Sequence, residues 1–176
     1  LCERAIGGSL LLDEITELPI KLQERLLRVI ETGRMLPVGG NIEIPVDTRF
    51  VAATHCDPRR AIAEGRLHQG LIYSLCTFPI RVPPLRERED DAVLLARVFS
   101  EELNGKFGAA KMLNDAAEER IATAAWRGNV RELRSVLQRA FFIAGDRNEI
   151  DGACIDEACN DEACGMPLVE PPSRAS

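Results

Sequence analysis

GGSLLLDEITELPIKLQERLLRVIETG, residues 7–33, is the stretch that decides the class of fold. Ser9 to Leu12 follow two glycines and end in Asp13 and Glu14, which is the length and flanking of a short buried strand that delivers two acids to its C-terminal edge. From Pro19 to Thr32 the apolar Leu22, Leu26, Leu27 and Ile30 share one helical face. Lys21, Glu24, Arg25 and Arg28 lie elsewhere, and Gly33 is a C-terminal stop. A strand therefore runs into an amphipathic helix.

Outward from this core the same alternation continues. Met35 to Val38 and Ile42 to Val46 flank Gly39-Gly40-Asn41, a hairpin signature in which glycine supplies positive φ. Arg49 to Thr54, RFVAAT, is a second short strand of buried type, and Asp57 before Pro58 is a helix N-cap with proline at the first helical position. Strand and helix alternating in this way predict an α/β layer with a parallel sheet, whose ligands sit beyond the C-terminal strand ends. Phe78 to Pro84 resists both helix and strand, because proline lacks a donor and restricts the residue before it. A lobe boundary is expected there.

Beyond the boundary three helices are signalled. They are Asp90 to Leu103, Asp115 to Ala125 with Glu118 completing a capping box, and Asn129 to Ala144 with Asn129 and Glu132 as the analogous pair. In the last of these Val130, Leu133, Leu137, Ala140, Phe141 and Ala144 make one stripe ended by Gly145. The expected organisation is an α/β lobe over residues 1–84, an all-helical lobe over 85–145, and an acidic, cysteine-bearing tail without regular structure over 146–176.

Of the 176 residues 45% are hydrophobic and 28% charged, enough apolar material for one ordinary core with a small second lobe. A net charge of −6 opposes a role in coating nucleic acid, so DNA contact is expected only through a segment outside this chain. No run approaches the roughly 18 apolar residues of a membrane helix, and LCERAIGG lacks the apolar block of a signal peptide. No membrane and a cytoplasmic address are the expectation. Cys2, Cys56 and Cys76 are scattered singly, unlike a secreted disulfide framework. The start at Leu1, inside what reads as a structured segment, suggests a fragment.

Apolar residues followed by Asp13-Glu14 have the form of a Walker B element, in which an acid at a strand tip coordinates Mg²⁺, often through water, and the next polarises the attacking water. A buried strand ending in acids is common, so this element alone does not single out a nucleotide site. Its neighbours are more specific. GGSLLLDEITELPIKLQERLLRVIETG, then PVGG, VDTRFVAAT, FPIRVPPLRERE and WRGNVREL closely resemble the AAA+ domain of bacterial sigma-54-dependent transcriptional activators, in order and spacing, from about Ala5 to Gly145.

The resemblance implies the C-terminal portion of a ring-forming, homo-oligomeric ATPase with ATP and Mg²⁺ as cofactors, remodelling the sigma-54 RNA polymerase holoenzyme. In fold terms it implies a partial P-loop NTPase-type parallel sheet followed by a helical lid. On the matching positions Asp13 resembles the Mg²⁺-associated acid, Glu14 the water-activating one, Thr54 and His55 the end of the first sensor strand, and Arg131 the sensor II arginine. The bland alternative for Arg131 is a solvated arginine at a helix start, where the macrodipole disfavours a cation.

Departures accompany the matches. His55 stands where the family usually has asparagine. An imidazole there either hydrogen-bonds in the amide's place or, with its different reach and pH-dependent charge, damages catalysis. The family's two arginine fingers correspond to His68 and Ser74, and a finger is worth roughly 10³-fold or more in rate, which serine cannot supply and histidine supplies poorly. Arg66 is the nearby substitute, or else a solvated residue. No G-x-x-x-x-G-K-[ST] motif occurs, so this chain carries no phosphate-cradling lysine loop. Arg127 replaces an expected proline, and Pro37 is a further deviation.

Cys154, Cys159 and Cys164 recur every five residues, which on a helix turns each thiol by about 140° from the last. Zinc sites show tighter C-x₂-C pairs. Cys154 and Cys159 nevertheless resemble a C-x₄-C pair that some nitrogen-fixation regulators of the family carry after the AAA+ domain, so a metal- or redox-responsive site stays open beside a reduced tail. Two broader functions also stay open: a piece of an ATP-dependent activator, and a catalytically degraded interaction module that pairs with intact subunits without ATP turnover. A sheet edge and apolar surface left uncovered by missing N-terminal segments are expected.

Overall fold

The computed structural model describes residues 2–37, 39–88 and 90–160. These fall into two compact units, one ending at Arg81 and the other beginning at Val82, so the division lies within the proline-rich boundary segment.

In the first unit β1 (Ser9–Leu12) leads through a short 3₁₀ turn, Ile15–Glu17, into α1 (Ile20–Thr32). Gly33 closes α1 at φ 63°, where its N–H donates to the Val29 carbonyl. This is the αL stop that only glycine adopts freely. A hairpin of β2 (Arg34–Met35) and β3 (Ile44–Pro45) follows, pairing Met35 with Ile44, and then β4 (Arg49–Ala52). β4 lies parallel to β1 in the register Ser9↔Arg49 to Leu12↔Ala52. α2 (Pro58–Ala63) opens on Asp57, whose carboxylate accepts from the Arg59 N–H at 2.7 Å, and α3 (Gln69–Leu75) completes the unit.

Leu12, Phe50 and Ala52 pack with Ile15, Leu26, Ala61, Leu67 and Leu71 into one cluster. The opposite face of the strand pair is open, with Leu11 64% and Val51 43% exposed. Among the described residues helical packing covers one face of the pair, and the other carries the uncovered apolar surface that was expected. The expected apolar stripe of α1 also shifts. Leu22 is exposed, whereas Gln23 is fully buried.

In the second unit α4 (Asp91–Phe107), α5 (Asp115–Thr123) and α6 (Asn129–Ile143) correspond to the three expected helices. They enclose Ala96, Phe99, Ala117, Ile121, Trp126, Leu133, Val136, Leu137 and Phe141. Two corrections apply. The unit is not entirely helical, because β5 (Met112–Leu113) pairs in parallel with β6 (Glu149–Ile150). The stretch after Gly145 is not a structureless tail throughout. β6 is followed by α7 (Gly152–Asn160), which buries Cys154, Ile155 and Ala158 against the core. Acidic composition misled there, since Asp156 and Glu157 occupy the outer face of a helix whose inner face is apolar.

The caps also differ from expectation. Asn114, not Asp115, caps α5 by accepting from the Ala117 N–H at 3.0 Å, and Glu118 instead holds Arg97 through two hydrogen bonds of 2.7 Å. Asn129 adopts φ 53° and its Oδ1 accepts from the Leu85 N–H at 2.8 Å, while Glu132 accepts from the Gly128 N–H at 2.7 Å. Asn129 thus ties the helix start to the 3₁₀ turn Leu85–Glu87, a link between residues 44 positions apart that no local pattern encodes. Among the described residues no helix is long and apolar enough to cross a membrane.

Candidate functional site

Parallel pairing puts the C-terminal ends of β1 and β4 side by side. The ladder continues past both strands: the Ala53 N–H donates to the Leu12 carbonyl at 2.9 Å, and the Ile15 N–H to the Ala53 carbonyl at 3.0 Å. Asp13-Glu14 and Thr54-His55 are therefore neighbours, although 40 residues separate them along the chain.

Asp13 is exposed at the strand tip. Glu14 is held at φ 51°, ψ 59°, a left-handed conformation that costs a non-glycine residue of order 1 kcal/mol and persists where neighbours enforce it. Here Ile15 and Thr16 are buried immediately after it. The Glu14 carboxylate lies 2.8 Å from His55 Nδ1 and accepts from the His55 backbone N–H at 3.4 Å. A carboxylate only accepts, so Nδ1 carries a proton, and in the neutral form of an imidazole held this way Nε2 is the acceptor. Thr54 turns its hydroxyl inward, 3.3 Å from Thr16 Oγ1, and accepts from the Cys56 N–H at 3.1 Å.

Cys56, which sequence reasoning left among the scattered thiols, stands in this cluster. Its Sγ lies 3.5 Å from His55 Nε2 and 3.6 Å from Arg66 Nη1. Arg66 also donates to Glu64 Oε2 at 2.6 and 2.9 Å, while Arg60 reaches Glu64 Oε1 at 2.7 Å. Those hydrogen bonds, from Arg60 first and Arg66 second, hold the Glu64 carboxyl below the usual range. His55, Cys56, Asp57, Pro58, Arg59 and Arg81 line a shallow surface depression.

His68 and Ser74, the residues at the expected finger positions, are both half-buried. His68 is the N-cap residue of α3 and its backbone N–H donates to Gln23 Oε1 at 2.8 Å. Its Nδ1 is buried with no hydrogen-bond partner among the described residues. Ser74 Oγ donates to the Gly70 carbonyl of its own helix at 3.2 Å. Gln23, a second residue that periodicity missed, ties these elements together: its Nε2 donates to the Leu18 and Arg66 carbonyls at 2.7 and 2.8 Å.

Arg131 lies in the second unit, exposed in the first turn of α6. Cys154 and Cys159 are on α7. Burial pushes both thiols up, which keeps them protonated at neutral pH and makes them poor nucleophiles and metal ligands. Cys164 lies outside the described residues.

A parallel strand pair with acids at its C-terminal edge, followed by a separate, mainly helical unit, is the arrangement of AAA+ ATPases, and comparisons with known proteins agree. Residues 1–81 match the sigma-54 interaction domain, and residues 86–164 match the AAA+ ATPase lid domain. The chain belongs to the AAA+ sigma-54 interaction domain family of bacterial sigma-54-dependent transcriptional activators, of which it spans the C-terminal portion.

Relatives include the DNA-binding transcriptional regulator NtrC of Azospirillum brasilense, 44% identical over 78% of this chain and 28% of that protein. The anaerobic nitric oxide reductase transcription regulator NorR of Klebsiella pneumoniae is 45% identical over 81% of this chain and 28% of its own length. The response regulator PilR of Pseudomonas aeruginosa is 42% identical over 83% of this chain and 33% of its own length. The chain thus spans a third or less of these relatives. Among solved structures, NtrX from Brucella abortus in complex with ATP is similar at a TM-score of 0.81 and 27% identity, over 98% of this chain and 39% of that one. A RuvB mutant from Thermotoga maritima, 19% identical with a TM-score of 0.63 over 95% of this chain and 48% of that one, shares the fold.

Proposed function

We propose that this chain is the Walker B to lid portion of an ATP-dependent sigma-54 transcriptional activator. The intact parent binds ATP, assembles as a homo-oligomeric ring and couples hydrolysis to remodelling of the sigma-54 RNA polymerase holoenzyme. The single observation that carries this is the β1–β4 pairing, which brings Asp13, Glu14, Thr54 and His55 to one strand end, where open parallel sheets take their ligands.

Asp13, exposed at the tip, suits Mg²⁺ held through water; Mg²⁺ supplies charge neutralisation on the phosphates when bound. Glu14 is the water-polarising acid, restrained by His55, and His55 takes the sensor position with its Nδ1 committed to that carboxylate. Arg131 is the lid arginine that reads the nucleotide. DNA contact belongs to a segment outside this chain.

One observation favours the second function, an AAA+ interaction module without ATP turnover. At the finger positions His68 turns its Nδ1 into the interior and Ser74 bonds its own helix. Isothermal titration with ATP and Mg²⁺, beside the Asp13→Ala variant, separates the two. Binding tighter than about 100 μM that the variant abolishes supports the ATPase reading, whereas no detectable heat supports the interaction module.

A further inference from the structure

We infer that Cys56 is a nucleophilic thiol with a built-in base, a site for oxidation by hydroperoxides at the mouth of the depression beyond β4. Two side chains, His55 and Arg66, converge on its sulfur, and neither contact requires a bound nucleotide.

Glu14 accepts the Nδ1 proton of His55 at 2.8 Å, which orients the ring and leaves Nε2 free to accept. Nε2 then faces Cys56 Sγ at 3.5 Å, within range of a thiol hydrogen bond. From the other side Arg66 Nη1 approaches the same sulfur at 3.6 Å, and its position is fixed by the two hydrogen bonds to Glu64. A carboxylate orienting an imidazole that takes a thiol proton is the logic of an activated nucleophile, and the guanidinium donates to the same sulfur. The titratable and charged groups around it are Glu14 and His55, Glu64 with Arg60 and Arg66, and Asp57, Arg59 and Arg81 along the depression.

Cys56 is half-buried and reachable through that depression, unlike Cys154 in the helical core. With hydrogen peroxide the step balances. The thiol proton passes to His55 Nε2 and Sγ attacks one peroxide oxygen. An S–O bond forms as the O–O bond breaks, and the departing hydroxide takes the proton from Nε2 to leave as water. Sulfur is oxidised to the sulfenic acid and the peroxide is reduced. The product places an oxygen against His55, so the thiol state is coupled to the Glu14–His55 pair.

The exposed Cys76 of the same chain is the internal reference. The full chain is treated with limiting hydrogen peroxide at pH 7, trapped with dimedone and resolved peptide by peptide by mass spectrometry. An ordinary thiol is only a few per cent ionised at pH 7, whereas a thiol with a base in hydrogen-bond reach can give up its proton as it attacks, so Cys56 is expected to react about tenfold faster than Cys76. His55→Gln should bring Cys56 to the rate of Cys76 without altering Cys76, and Arg66→Gln should slow it by a smaller factor. Equal labelling of Cys56 and Cys76 in the wild-type chain, or a Cys56 rate unchanged in His55→Gln, would overturn the inference. Both variants alter exposed or half-exposed side chains, and an unchanged Cys76 rate together with unchanged far-UV circular dichroism confirms that each is folded.

Discussion

Replacing Gln23 by leucine, which nearly conserves volume, should unfasten the first unit. The Gln23 side chain is fully buried and serves three close partners: its amide donates to the Leu18 and Arg66 carbonyls, and its carbonyl accepts from the His68 N–H, while Nε2 also reaches the Ile15 carbonyl at a longer 3.4 Å. Leucine leaves all three without that partner. A buried backbone group left unsatisfied costs about 1–3 kcal/mol. Leu18, Arg66 and His68 are only partly enclosed, so each is assigned the lower part of that range, and the added apolar burial returns about 1 kcal/mol. The net loss is about 3 kcal/mol. At about 4–8 °C per kcal/mol for a unit of this size, the midpoint should fall by about 15 °C.

The assay is built into the composition. The single tryptophan, Trp126, is buried in the second unit, so its fluorescence reports that unit, while hydrogen exchange at the amides of β1 and β4 reports the first. Gln23→Leu should speed exchange in β1 and β4 with the Trp126 transition little changed. A variant whose first unit melts within 2 °C of wild type would show that water or relaxed backbone satisfies these groups, and the inward-facing amide would not be the fastener described.

Lys111, 8% exposed, caps the C-terminus of α6 by donating to the Phe141 carbonyl at 2.8 Å and to the Gly145 carbonyl, with its ammonium over the Phe141 ring. Lys111→Met keeps the stem but removes the donors, and should cost about 2 kcal/mol in the Trp126-detected urea transition. For Glu118, the two hydrogen bonds from Arg97 hold the carboxyl below the ordinary value of 4.5. A depressed pKa contributes stability above the unfolded value and loses it as pH falls through the folded one. The wild-type advantage over Glu118→Gln, about 0.5 kcal/mol at pH 7 for so exposed a pair, should therefore shrink from pH 4.5 downward. Urea midpoints at pH 7 and pH 3 test the sign.

Much of this protein was legible in residues 7–33 and in the periodicities that follow. The strand bearing Asp13-Glu14, the helix stopped at Gly33, the hairpin around Gly39-Gly40, the Asp57 cap and the apolar stripe of α6 all express local rules, because a residue's φ preference and the 3.6- or 2-residue spacing of its neighbours act within one element. The tail was misread for the complementary reason. Cys154, Ile155 and Ala158 make α7 a helix only against a core supplied by α5 and α6, and isolated short helices gain little from propensity.

The candidate site divides in the same way. Its acids were visible as a strand ending, and His55 as an unexpected residue after Thr54. The Glu14–His55 hydrogen bond, the thiol beside it and the burial of Gln23 were not, because each depends on partners brought close by the sheet. Gln23 meets Arg66 and His68 from 43 and 45 residues away, and Glu14 meets His55 from 41. A polar side chain carries no record in the sequence of which distant donor will face it. Sequence alone determined the elements that carry local signals, their order and the family; the tertiary pairing of β1 with β4 decided which polar groups meet, since hydrogen bonds at about 3 Å exist only once the chain has been folded back on itself.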